Sequence, residues 1–156
     1  MSEIIDLSHQ INAHMPVYPG TNPPTIKEIC TLKHDGFKES LITFYSHTGT
    51  HLDVPSHIFA QGKSVHEYDC NKFYGKAILI HCLNIKTIEI SMITSEYDLT
   101  DPADYIVFYT GLDKFWSNNK YYEDFPVLTN EAAGYIASLP VKGLAIDAIS
   151  FDPVHD

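Results

Sequence analysis

The sequence predicts an α/β domain with a mixed β-sheet and helices, on three observations. Residues 76–83 (KAILIHCL) and 105–109 (YIVFY) are continuous apolar runs of strand length, as expected of strands covered on both faces. Thr129 is a helix N-cap candidate, followed by Glu131 in the first turn and Ala132, Ala133, Ile136 and Leu139 at helical spacing, with Pro140 as the stop. Residues 25–32 and 39–46 have β-type composition and are split by the turn signal His34-Asp35-Gly36, which reads as an antiparallel pair. Strands therefore come first, and strand and helix alternate afterwards.

In chain order, residues 4–7 are a short apolar run ended by Ser8-His9-Gln10, and a first strand is expected there. A loop follows, stiffened by Pro16, Pro19, Pro23 and Pro24 with Gly20 among them, a composition that excludes a helix. Its aromatic residue, Tyr18, either serves a site or packs on the core. In residues 39–46, Leu41, Thr43 and Tyr45 face one way and Ile42, Phe44 and Ser46 the other, leaving His47 at the strand end. Gly62-Lys63-Ser64 reads as a turn. His81, inside an apolar run, reads as a hydrogen-bonded core residue in preference to a ligand. A short helix is expected over residues 94–99, a helical turn carrying Trp116 over 113–118, and a last strand over 141–146 that Asp147 ends. No repeat, low-complexity tract or linker interrupts the chain, so residues 1–156 are expected to form one domain.

At 156 residues the chain is long enough for a core, since a domain of this size buries roughly 70% of the surface its unfolded chain exposes. Twenty acidic against ten basic residues leave a formal charge of −10, which repels phosphate backbones and anionic lipid. Nucleic acid and membrane surfaces are therefore not the expected partners. Cys30, Cys70 and Cys82 are too widely spaced for a disulfide framework or a paired-cysteine zinc site, and read as core thiols of a reducing compartment. Without a basic segment and apolar run at the N-terminus, or any stretch near the ~20 apolar residues of a membrane span, a cytoplasmic location is expected.

The densest chemistry lies in His47-Thr48-Gly49-Thr50-His51-Leu52-Asp53-Val54-Pro55-Ser56-His57. His47 and His51 are four apart, but Gly49, the two β-branched threonines and Pro55 argue against a helix, so a loop must supply the geometry. His51 and Asp53, two apart, point to one side of an extended segment, and a turn at Gly49 can bring His47 alongside. Two imidazoles and a carboxylate suit Zn²⁺, Mn²⁺ or Fe²⁺ and leave positions open, and such an ion can lower the pKa of water to about 7. His57, beyond Pro55, is a candidate for proton exchange as a non-ligand. On spacing alone, an exposed loop with an Asx-type turn is the competing explanation.

The run from His47 to His57 resembles the HxGTHxDxPxH signature of the cyclase family of metal-dependent hydrolases, which includes bacterial kynurenine formamidase and isatin hydrolase, and it matches at every fixed position. Ile5-Asp6-Leu7-Ser8-His9 is similar to that family's opening strand, Pro16-Val17-Tyr18-Pro19-Gly20 to its proline-rich substrate loop, and Tyr109-Thr110-Gly111-Leu112-Asp113-Lys114 to its TGWDK-like turn. Gly143-Leu144-Ala145-Ile146-Asp147-Ala148 with Phe151-Asp152-Pro153 resembles its GxGIDAPSxDP segment.

The resemblance implies a swivelling β/β/α fold, with His47, His51 and Asp53 as metal ligands and Asp53 bridging where two ions bind. It implies His57 as the proton donor and acceptor, one or two divalent ions (Zn²⁺ or Mn²⁺), hydrolysis of an amide-type C–N bond, and a homodimer or higher homo-oligomer. Tyr18 stands where the kynurenine formamidases carry a tryptophan that stacks on the substrate, and is the expected substrate contact. Members continue past the Asp-Pro into a segment with a further histidine and a glutamate, so residues 1–156 are expected to be a cyclase-like domain lacking that C-terminal segment. The alternative function is a non-catalytic module that binds a small molecule or metal and has kept the loop.

Overall fold

A computed structural model describes residues 3–153. The chain divides into two compact units, Met1–Gly62 and Lys63–Asp156.

In the first unit the expected antiparallel pair forms between β1 (Thr25–Cys30) and β2 (Glu39–Thr43), with Thr25 opposite Thr43 and Lys27 opposite Leu41. The turn between them holds a short helix, α1 (Leu32–Asp35), because Thr31 caps it by accepting the His34 N–H at 3.3 Å and Gly36 ends it in the left-handed region at φ 78°. Ile26 and Leu41 remain about half exposed on this ribbon. Residues 4–7 form no strand, and Asp6 accepts both the N–H (2.9 Å) and the hydroxyl (2.6 Å) of Ser8, local bonds of the kind that compete with extended pairing. Those bonds hold the Asp6 carboxyl below its usual range. Among the described residues of this unit only Met15, Pro24 and Thr48 are buried.

The second unit is built on a parallel sheet of β3 (Ala77–His81), β5 (Tyr105–Tyr109) and β7 (Gly143–Ile146), with β5 in the middle. A smaller parallel pair joins β4 (Thr87–Ile88) and β6 (Val127–Leu128). Two helices, α2 (Ile90–Glu96) and α3 (Asn130–Ser138), contribute Ile93, Ala132 and Ile136 to a core with Ile80, Ile88, Ile106 and Phe108. The class is α/β, with parallel and antiparallel pairs both present. No helix among the described residues is long and apolar enough to cross a membrane.

Three local expectations change. The run 76–83 is covered on one face only: Ile80 is buried while Leu79 is 51% exposed, and His81 is exposed, its ring edge-on to Tyr109 at 5.9 Å. An unbroken apolar run does not itself say how many faces are covered. α2 starts at Ile90, ahead of residue 94, because Ile93 and then Tyr97 supply the buried positions, and Tyr97 leaves the helix to donate its hydroxyl to the Ala103 carbonyl at 3.1 Å. Of the cysteines only Cys82 is a core thiol, since Cys30 is half-buried and Cys70 exposed. Burial, with Asp147 nearby, pushes the Cys82 thiol up to about 11.

Two polar clasps fix the ends of the parallel sheet. At the start of the strands Lys142 pairs with Asp104 at 3.0 Å and also donates to the carbonyls of Asn71 (3.1 Å) and Tyr74 (2.9 Å), while Asp104 accepts the Lys76 N–H at 2.9 Å. At the far end Asp147 accepts three bonds, from the Thr110 N–H (2.6 Å) and hydroxyl (2.7 Å) and the Gly111 N–H (2.7 Å).

Candidate metal centre

Past β2 the chain loses regular structure just where the histidines begin. Gly49 turns at φ +65°, a backbone conformation other residues rarely adopt. The turn brings residues four apart together without a helix: His47 Nδ1 lies 3.2 Å from His51 Nε2, with the two rings nearly perpendicular at 89°. Asp53, two residues beyond His51, points into the same space. Its Oδ1 is 3.1 Å from His47 Nδ1 and its Oδ2 is 3.7 Å from His51 Nε2.

This is the one group of three or more His, Cys, Asp or Glu side chains among the described residues whose donor atoms converge. The separations suit a metal. Bonds of about 2.0–2.1 Å to a tetrahedral ion set neighbouring donor atoms about 3.3 Å apart; His47 Nδ1 lies 3.2 Å from His51 Nε2 and 3.1 Å from Asp53 Oδ1, and one donor atom from each of the three residues lies within 4.8 Å of the other two. All three residues are exposed at their surface, so a ligand has access.

His57 is placed by a different device. Pro55 opens a 3₁₀ turn, Pro55–His57, in which its missing N–H costs nothing. Behind the turn sits Gly62, where a Cβ would come within 2.3 Å of the Pro55 carbonyl carbon and 2.6 Å of the Ser56 nitrogen, so only glycine fits. The His57 ring then lies 4.2 Å from that of His47, tilted by 47°. His57 stands beside the converging trio and outside it. Tyr18 belongs to another turn, closed by the Thr21 N–H on the Tyr18 carbonyl at 3.0 Å, and its ring is 47% exposed. The structure thus gathers His47, His51, Asp53 and His57 in one place.

The sequence reading did not single out the outer partner of His51. Its Nδ1 lies 2.8 Å from the Gly49 carbonyl oxygen. A backbone carbonyl leaves no side-chain signature, and only the glycine in the motif hinted at an unusual turn.

One family matches nearly all of the chain. The profile of the Cyclase family, described as "Putative cyclase", matches residues 5–153. The chain belongs to the Cyclase family. A curated relative, kynurenine formamidase of Geobacillus thermodenitrificans (strain NG80-2), is 33% identical over 156 residues, covering 99% of this chain and 72% of its own length. Among solved structures, a predicted metal-dependent hydrolase from Bacillus stearothermophilus is 25% identical with a TM-score of 0.75, covering 97% of this chain and 72% of that one. Isatin hydrolase A from Labrenzia aggregata, bound to benzyl benzoate, shares the fold with a TM-score of 0.80 at 22% identity, covering 95% of this chain and 68% of that one.

Proposed function

We propose that this Cyclase-family chain is a metal-dependent hydrolase of an amide-type C–N bond in a small molecule, with His47, His51 and Asp53 holding a divalent ion, Zn²⁺ or Mn²⁺. The observation that carries the reading is the convergence of two imidazole nitrogens and a carboxylate oxygen, one from each residue, within 4.8 Å of one another. The relative named kynurenine formamidase supports the bond type. When bound, the ion supplies Lewis acidity, which makes water nucleophilic near neutral pH and polarises a carbonyl.

The remaining chemistry falls to the chain. Hydrolysis adds water across the C–N bond, leaving an acid and an amine, and the departing nitrogen needs a proton. His57 is beside the cluster but is not one of its converging ligand groups, so its ring is free to take a proton from water and return it to that nitrogen. The loop bearing Tyr18 offers an exposed aromatic face for the substrate. Asp53 is the residue that would also serve a second ion. The apolar side chains exposed on the β1–β2 ribbon favour a homodimer or higher homo-oligomer.

The test is to strip the protein, reload it with Zn²⁺ or Mn²⁺, and assay formylated aromatic amines and small cyclic amides. Wild type should bind metal and turn over at least one of these classes. Asp53→Ala should lose the metal, while His57→Ala should keep it and lose about 10²–10⁴-fold in turnover. Full metal content in Asp53→Ala, or His57→Ala with wild-type turnover, overturns the assignment. A loaded wild type without hydrolysis, but with measurable small-molecule binding, points to a binding module.

A further inference from the structure

The metal cluster is exposed, yet one side chain behind it is not. Met15 is 5% exposed, one of three buried residues described in its unit, and it comes from the proline-rich segment that precedes β1. Its Cε lies 3.2 Å from where a Cβ on Gly49 would stand, and Ile11 Cγ1 lies 3.5 Å from the same point. The same segment is tied to the loop by the His9 N–H donating to Thr50 Oγ1 at 3.0 Å. Gly49 is therefore held from behind by packing as well as by its own conformation.

What Gly49 holds in turn is His51. A carbonyl oxygen can only accept, so the 2.8 Å contact between the Gly49 carbonyl and His51 Nδ1 requires the proton on Nδ1. In a neutral ring this leaves Nε2 with its lone pair, and Nε2 is the atom that faces His47 and Asp53. Outer partners of this kind fix the tautomer and orientation of a ligating imidazole before the ion arrives.

We propose that Met15 is a positioning residue of the centre: by packing against Gly49 it keeps the Gly49 carbonyl on His51 Nδ1 and so presents a bare Nε2 to the cluster. The proposal rests on the metal reading above for its consequence, but the tautomer is a property of the metal-free protein. His51 is pre-set for a ligand by a residue that touches neither metal nor substrate.

The experiment uses the full chain with ¹⁵N-labelled histidine, metal-free, at about pH 8.5, where an ordinary imidazole is neutral. Long-range ¹H–¹⁵N spectra assign the tautomer, and competition with a chromophoric chelator gives the Zn²⁺ dissociation constant. Wild type should show the Nδ1–H form of His51. Met15→Ala should show a mixture or the Nε2–H form, with Zn²⁺ affinity lowered about 10–100-fold. Met15→Leu, which restores apolar bulk, should recover the wild-type tautomer and most of the affinity. Should Met15→Ala not fold, Met15→Val removes the Cε contact with less loss of volume and must show the same two changes. Nε2–H in wild-type His51, or an unchanged tautomer and affinity in the shortened variants, overturns the proposal. Wild type that shows Nδ1–H but binds neither Zn²⁺ nor Mn²⁺ overturns the metal reading and with it Met15's role in a metal centre, so the two failures are told apart.

Discussion

Single residues in this protein act mostly by holding backbone in place. Asp104 shows how such a residue sets pH dependence. The hydrogen bond from Lys142, then that from the Lys76 N–H, hold its carboxyl below the ordinary range. A carboxyl lowered on folding adds stability above its unfolded pKa, and that contribution is lost as pH falls through the lower folded value. Asp104→Asn should therefore melt at a lower temperature than wild type near neutrality, and the gap should close as pH falls below about 4. Melting curves from pH 7 to pH 2 measure this, and a gap that does not narrow would sink the argument. Gly62 acts by having no side chain, since any Cβ there would press on the backbone of the turn that carries His57.

At the scale of elements, α3 is the part whose local signals and final structure agree most closely. Thr129 accepts the Ala132 N–H at 3.1 Å, the helix runs Asn130–Ser138, and Ala132 and Ile136 are its buried positions. Losing that cap should cost about 1 kcal/mol, so Thr129→Ala should shift the denaturant midpoint down without changing the slope. Thr129→Ser should restore most of it. β3 is the opposite case. Its composition suggested burial on both faces, and the structure leaves Leu79 and His81 outward. How many layers cover a strand depends on what packs there, and a local window of sequence does not contain that.

Across the molecule the two units differ in how they are held. Lys63–Asp156 carries a continuous apolar core around the parallel sheet, with Phe108 and Ile106 fully buried in the middle strand. Met1–Gly62 has few buried side chains and relies on turns, hydrogen bonds and the paired ribbon. Phe108→Ala should therefore be severe, costing about 3–5 kcal/mol by the lost burial and the cavity left behind. Urea unfolding followed by tryptophan fluorescence reads it directly, because Trp116 lies in the same unit. A loss below about 1 kcal/mol would show that the β5 core does not carry the stability.

Much of the candidate site was legible before any coordinates. Histidine, glycine and carboxylate at these spacings state their chemistry in the residue types themselves, and Gly49, the two β-branched threonines and Pro55 argue against the helical alternative through local backbone preferences. The α/β class followed from periodicity and caps for the same reason, that these are local preferences. Tertiary structure decided the rest: that donor atoms of His47, His51 and Asp53 converge within 4.8 Å, that residues 4–7 form no strand, and that the Gly49 carbonyl meets His51 Nδ1 while Met15 lies close to Gly49. Each of these depends on the three-dimensional course of the backbone. A carbonyl oxygen is the same in every residue, and a buried methionine looks in sequence like any other, so only the folded chain shows what they hold.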